Sequence, residues 1–152
     1  MIELKEYDAI IIRSRNKMTR ELIEAGENLK VSGRAGVGVD NIYLDAAREK
    51  GIAVSNIPTY GTQSVAQMVM AHVLNLTQHV AYHAETVREG RWSRSDDWCD
   101  WDFPMIELHG LTMGVVGYGR IGRNSASVAK AFGMKILAYD EFVPYSGDPE
   151  VE

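Results

Sequence analysis

Cysteine is almost absent: the 152 residues contain one, Cys99. No intrachain disulfide can form, and an unpaired thiol with no charged or catalytic neighbour assigned to it reads as inert and suits a reducing compartment. Basic residues are outnumbered, 16 against 21 acidic, for a net charge of −5, which argues against nucleic acid or an anionic membrane as the main partner. Long apolar runs are missing too. The most apolar stretch, Val65 to Leu76, is interrupted by Gln67, His72 and Asn75 and is too short to span a bilayer. The opening residues, MIELKEYD, carry charge from the third position, unlike a secretory leader. A cytoplasmic location is the expectation. Histidine is sparse as well. His72, His79 and His83 fall in one helical segment and His109 in a linker, with no acid partner or ligand spacing that would make a metal site or a catalytic base.

What remains is the composition of a globular domain, 45% hydrophobic and 24% charged, in a chain long enough to bury roughly 68–70% of its unfolded surface. The acidic excess is local: residues 61–110 hold three basic against seven acidic side chains, whereas residues 1–60 balance at nine each.

Short β-branched runs alternate with helical segments. YDAIIIR (7–13) reads as a buried parallel strand. TRELIEAG (19–26) is a short helix with Thr19 as N-cap and Gly26 as stop. LKVSGRAG returns as a strand into the turn AGVGVD (35–40); YLDAAREKG is a helix ended by Gly51, and IAVSNIP a third strand closed by Pro58. Such alternation predicts right-handed βαβ crossovers and a parallel sheet.

Residues 62–89 contain neither glycine nor proline, and Gly90 follows as a stop. One helix here is about 42 Å long, more than a small domain needs, so it is expected to link two lobes or two subunits. Its apolar positions recur at threes and fours, as a packed stripe does. Next comes RWSRSDDWCDWDFPMIELHG (91–110), with all three tryptophans and no helix or strand period. The plain reading is an interdomain linker. The sharper one is an arm that buries Trp92, Trp98 and Trp101 against a partner subunit, since clustered aromatics mark interfaces.

The strongest motif is Gly117-Tyr118-Gly119-Arg120-Ile121-Gly122. Val115-Val116 leads in, a helix from about Arg120 to Phe132 leads out, and KILAY forms a second strand. In that setting the glycines allow a tight turn and close approach of backbone N–H groups to a pyrophosphate at a helix N-terminus. Asp140 lies 18 residues after Gly122, near the place of an acid that accepts from the adenine ribose hydroxyls and repels a 2′-phosphate, favouring NAD over NADP. The other glycine turn, RAGVGVDN (34–41), also lies between strand and helix. The amides of Val37, Gly38 and Val39 suit a small anion nest; equally, its glycines suit a tight turn for steric reasons alone.

GRAGVGVDN, GIAVSNIP, SVAQ, REGRW and GVVGYGRIG…AYD, in this order, resemble the NAD-dependent D-2-hydroxyacid dehydrogenases. The first third is most similar to D-3-phosphoglycerate dehydrogenases and the middle to glycerate (hydroxypyruvate) dehydrogenases. The resemblance implies that Val37 and Gly38 bind a substrate carboxylate and that Arg13 and Ser14 lie near the substrate's far end. It further implies that Gly117 to Gly122 seat the NAD pyrophosphate, Asp140 its ribose, and that the long helix and tryptophan arm build a homodimer. The expected fold is α/β, with a flavodoxin-like partial substrate lobe (1–61), the long helix (62–90), the arm (91–110) and the first βαβ of a Rossmann domain (111–152). Two departures accompany it. Gly61 and Gln67 stand where many members have asparagine and glutamate. The family's strand–helix unit ahead of YDAIII, and its catalytic arginine, glutamate and histidine beyond the fingerprint, have no counterpart in these residues.

No catalytic residue is therefore expected here, because hydride transfer to a 2-oxo acid needs a cation to orient the carboxylate and an acid to protonate the oxygen. The main reading is a 2-hydroxyacid dehydrogenase part that is inactive alone, acting with a small 2-hydroxy or 2-oxo acid. The alternative is a non-catalytic NAD-binding or dimerisation module, with strand exchange between copies as one way to cover the exposed edge of the GVVGYG strand. A flavodoxin-like signalling domain with a fortuitous glycine turn is disfavoured by the completeness of the fingerprint's setting.

Overall fold

The computed structural model describes residues 4–144 and 151, so the ends of the outer sequence segments, residues 1–3, 145–150 and 152, lie outside the description. The chain divides into two compact units, Met1–Tyr60 and Gly61–Glu152.

The first unit contains β1 (Ala9–Ile12), α1 (Arg20–Ala25), β2 (Val31–Arg34), α2 (Leu44–Glu49) and β3 (Ala53–Ser55). Its strands form a parallel sheet in the order β1-β2-β3, with Ile10 opposite Ser32 and Ser32 opposite Val54. Side chains alternate across the sheet. Ile10, Ile12 and Val54 pack with Ile23 of α1 and with Ala46 and Ala47 of α2, while Ile11, on the other face, is 81% exposed. Thr19 caps α1 by accepting from the Leu22 N–H at 3.4 Å. At the other end of α1, the Lys50 ammonium donates to the carbonyls of Ile23, Glu24 and Gly26. Ile23 and Glu24 lie in the last turn of α1, whose carbonyls have no amide four residues on within the helix.

The second unit contains α3 (Thr62–Gln78), α4 (Val80–Arg88), a 3₁₀ turn at Trp92–Arg94, β4 (Thr112–Val116), α5 (Arg120–Ala131) and β5 (Lys135–Tyr139). β4 and β5 pair in parallel around α5, and Val151 adds a bridge to Ile136. Ala126 and Ala129 of α5 are fully buried and share a core with Met70, Leu108 and Ile136. Their small side chains let α3 lie close against α5. Thus α3 belongs to the packed body of this unit.

The uninterrupted helix expected over 62–90 is replaced by two. His79 adopts the left-handed conformation (φ 48°, ψ 38°) and ends α3 while opening α4. Such a conformation is unfavourable for a residue with a Cβ, and contacts distant in sequence hold it. The ring of Phe103 lies 4.5 Å from that of His79, the Ile106 N–H donates to the Thr77 carbonyl, and the Gln78 amide donates to the Ile106 carbonyl. The returning chain thus engages the Thr77 carbonyl at the helix end and the Gln78 side chain. Among the described residues no helix is long and apolar enough to cross a membrane.

Candidate functional site

In the second unit the glycine motif forms the turn between β4 and α5. Gly117 has φ +96°, a region that favours glycine, and its N–H donates to the Tyr139 carbonyl at 2.8 Å, prolonging the β4–β5 ladder. A Cβ on Gly122 would overlap the Gly117 carbonyl oxygen. The third glycine of the motif is therefore required by the closeness of turn and helix.

α5 begins at Arg120 with Gly119 as N-cap, no capping side chain and no acid in its first turn. Among the described residues nothing accepts from the Arg120, Ile121 and Gly122 amides. The positive end of a twelve-residue helix is left facing outward, an arrangement suited to an anion.

Asp140 stands beside this turn and is already engaged. Its Oδ2 accepts from the Tyr118 N–H at 2.6 Å, and its Oδ1 from the N–H groups of Phe142 and Val143 at 2.8 and 2.9 Å. These donors, Phe142 and Val143 foremost, hold its carboxyl below the usual carboxylate range, with a smaller contribution from the Arg123 charge. Arg123 is a member of the site that the sequence did not reveal. It donates from Nε to the Tyr118 carbonyl and places its guanidinium 5.4 Å from the centre of the Tyr118 ring.

In the first unit, Val37 and Gly38 lie in the turn after β2, and Arg13 and Ser14 follow β1. The Val37 and Gly38 amides have no acceptor among the described residues, as an anion nest requires. The Arg13–Ser14 loop and the glycine turn are tied together by Asn41. Its amide donates to the carbonyls of Arg13 and Asn16 at 3.2 and 2.6 Å, and its oxygen accepts from Arg34 Nε at 3.2 Å. Arg34 is 8% exposed and makes no ion pair among the described residues; its Nη1 donates to the Ala35 carbonyl beneath the turn. A Cβ on Gly36 would come within 2.5 Å of that Nη1. Asn41 and Arg34 were likewise missed, although an arginine at the end of a central strand was a usable signal, since buried charge is costly without a partner. A groove of about 580 Å³ along β1, walled by Leu4, Tyr7, Ile10 and Met18, reaches Arg15 and Lys17 but no residue of the glycine turn.

The arm is anchored from within. Arg91 binds the carboxylate of Asp100 at 2.8 to 3.1 Å and also that of Asp102, which accepts the Tyr82 hydroxyl as well. Arg91 foremost, then Tyr82, keeps the Asp102 carboxyl low, and the bond to Asp102 raises the Tyr82 phenol. Two of the arm's acids thus fasten it to its own unit, while Trp98 remains 86% exposed and Trp101 58%. Among the described residues no His, Cys, Asp and Glu side chains cluster in a way that would hold a metal ion.

Residues 1–143 match the sequence profile of the catalytic domain of the D-isomer specific 2-hydroxyacid dehydrogenases. The chain is 45% identical over 133 residues to a hydroxypyruvate reductase of Blautia hydrogenotrophica, covering 88% of this chain and 41% of that protein. It is 44% identical over 142 residues to a D-3-phosphoglycerate dehydrogenase of Methanocaldococcus jannaschii, covering 93% and 26%. Among solved structures, the D-lactate dehydrogenase of Aquifex aeolicus complexed with NAD and lactic acid superposes with a TM-score of 0.79 at 37% identity, over 95% of this chain and 41% of that one. The chain therefore spans less than half the length of these relatives.

Proposed function

The chain belongs to the D-isomer specific 2-hydroxyacid dehydrogenase family, and from that premise we propose that it carries the cofactor handle and the substrate-anion turn of such an enzyme. The amides of Gly117 to Gly122, with Tyr118, Gly119, Arg120 and Ile121 between, receive the NAD pyrophosphate at the head of α5, and Asp140 accepts from the adenosine ribose. Val37 and Gly38 take the carboxylate of a 2-hydroxy or 2-oxo acid, with Arg13 and Ser14 toward its other end. Phosphoglycerate- or glycerate-like acids fit this reading, because two relatives at 45% and 44% identity are named a hydroxypyruvate reductase and a D-3-phosphoglycerate dehydrogenase. Bound NAD supplies the hydride acceptor; this chain's own residues bind and orient.

The observation that carries the reading is the uncapped, acid-free start of α5 with Asp140 at its side. Calorimetry with NAD and with ADP-ribose tests it. Similar, weak affinities for both are expected, since the nicotinamide half finds no partner in the residues assigned here. Absence of any binding excludes it. No counterpart of the family's catalytic arginine, glutamate and histidine is assigned among these residues, so the chain alone with NADH and hydroxypyruvate is expected to show no turnover, measured as loss of NADH absorbance.

A second reading, a dimerising module without catalysis, is favoured by the exposed tryptophans on an arm fixed at its base. The partner in this reading is a second copy, joined through α3, α4 and the arm with Trp92, Trp98 and Trp101 in the interface, and with the free edge of β4 available for strand exchange. Trp98→Ser is expected to shift the chain from dimer to monomer in light scattering while changing the monomer's stability by no more than about 0.5 kcal/mol. A reducing, cytoplasmic setting accords with the lone thiol of Cys99.

A further inference from the structure

We propose that Asn56 is a positioning residue for the turn after β2, and that its side-chain amide aims the Gly38 N–H by holding the opposite end of the same peptide. The inference rests on the carboxylate reading of Val37 and Gly38 given above. Asn56 follows β3, and its Nδ2 donates to the Val37 carbonyl at 2.7 Å. One residue on, the Ile57 N–H donates to the Gly36 carbonyl at 3.0 Å. Two successive carbonyls of the turn are thus drawn toward the chain that leaves β3.

A peptide unit is planar and trans, so its C=O and its N–H point in opposite directions. The Gly36 carbonyl shares its plane with the Val37 N–H, and the Val37 carbonyl shares its plane with the Gly38 N–H. With both oxygens held on one side, both N–H groups are turned to the other, as an anion nest requires. Neither N–H finds an acceptor among the described residues. A hold from outside matters here because Val37 stands between two glycines, and glycine restrains the backbone least. Arg34 and Asn41 do not supply it at this peptide: Arg34 reaches the Ala35 carbonyl, and Asn41 the carbonyls of Arg13 and Asn16. Asn56 binds the Val37–Gly38 unit from the side opposite the ligand. It acts through the backbone and touches no substrate.

The full chain, labelled with nitrogen-15, tests this by NMR titration with D-glycerate. In wild type the Val37 and Gly38 amide signals are expected to shift together, with one affinity. Asn56→Leu keeps the branched shape and removes the donor without adding charge. It is expected to weaken that affinity about tenfold, as misdirecting one hydrogen bond to a charged acceptor implies, whereas Asn56→Gln, which keeps an amide donor, stays within about threefold of wild type. Lys50→Ala controls for stability: it loses the bonds at the end of α1 in the same unit and is expected to leave the affinity unchanged. An unchanged affinity in Asn56→Leu overturns the proposal. So do equal losses in Asn56→Leu and Asn56→Gln, or an equal loss in Lys50→Ala. Should Asn56→Leu fail to fold, Asn56→Ala is read in the same way. If D-glycerate leaves the wild-type signals in place, the carboxylate reading fails, and residual dipolar couplings of the ligand-free chain decide the positioning role. The Gly38 N–H is expected to change direction in Asn56→Leu while those of β1 and β2 keep theirs; an unchanged direction overturns the role of Asn56.

Discussion

The two glycine turns of this chain look alike in sequence and are built differently. Each leaves a parallel strand and leads toward a helix, yet α2 has six residues and starts at Leu44, beyond an intervening bridge between Met18 and Ile42. Its N-terminus does not bear on the turn. There, positive charge and order come from side chains, with Arg34 below and Asn41 fastening the neighbouring loop. The turn after β4 runs straight into the twelve residues of α5, whose open N-terminus supplies the charge, while Asp140 and Arg123 supply the order. A glycine turn is thus ordered once by side chains and once beside an open helix end. The difference decides which substitutions each turn tolerates.

The largest effect that would separate the two is expected at the glycines. Gly122→Ala sets a methyl group into the Gly117 carbonyl, a backbone atom that cannot swing aside, and should destabilise the second unit by about 3 kcal/mol or more. Gly33→Ala, in β2 just before the other turn, meets Ile11 Cγ1 at 3.6 Å and the Ile10 carbonyl oxygen at 3.7 Å, both ordinary contacts, and should cost less than about 1 kcal/mol. Urea denaturation of the two variants measures the contrast, and equal losses would remove it.

Next in size is Asn41→Ala. It deletes three hydrogen bonds and leaves the buried Arg34 Nε without its acceptor, for an expected loss of about 1–3 kcal/mol. Calorimetric NAD binding should be unaffected, because the damage is confined to the first turn; weaker NAD binding would show that the turns are not independent.

The smallest effect is a dependence on pH. The folded Asp140 carboxyl is held below its ordinary value, chiefly by the Phe142 and Val143 N–H groups. Its contribution to stability is complete above the unfolded value, about pH 4, and is lost as the pH falls through the lower folded value. Wild type should therefore exceed Asp140→Asn in urea midpoint at pH 6, with the gap closing toward pH 3. A gap that stays constant would mean the carboxylate's charge is immaterial to the turn.

Much of the first unit was legible because its signals are local. Thr19 and Gly26 bound α1, and the apolar runs read as strands contain β1 and β3, although β1 is buried on one face only. The fingerprint glycines and Asp140 were equally readable, since spacing alone sets their relation to β4, α5 and β5. The break at His79 was not. No glycine or proline marks it, and its cause is contact with Phe103 and Ile106, more than twenty residues further along the chain. Asn41 and Arg123 escaped for the same reason: each is an ordinary polar residue until folding brings a second loop or a carbonyl within reach. The acids of the arm were read only as charge, whereas Asp100 and Asp102 act as anchors for Arg91.

The helices of the first unit cover one face of its sheet and leave Ile11 on the other 81% exposed; in the second, Val116 is 88% exposed and Leu137 52%. Sheet faces of that kind attract one another in concentrated solution, and a net charge of −5 opposes their approach. Colloidal behaviour should then follow ionic strength: salt that shortens the reach of the charge also removes the barrier to precipitation. A preparation that is clear in dilute buffer and turbid in brine would be the macroscopic expression of two half-covered sheets.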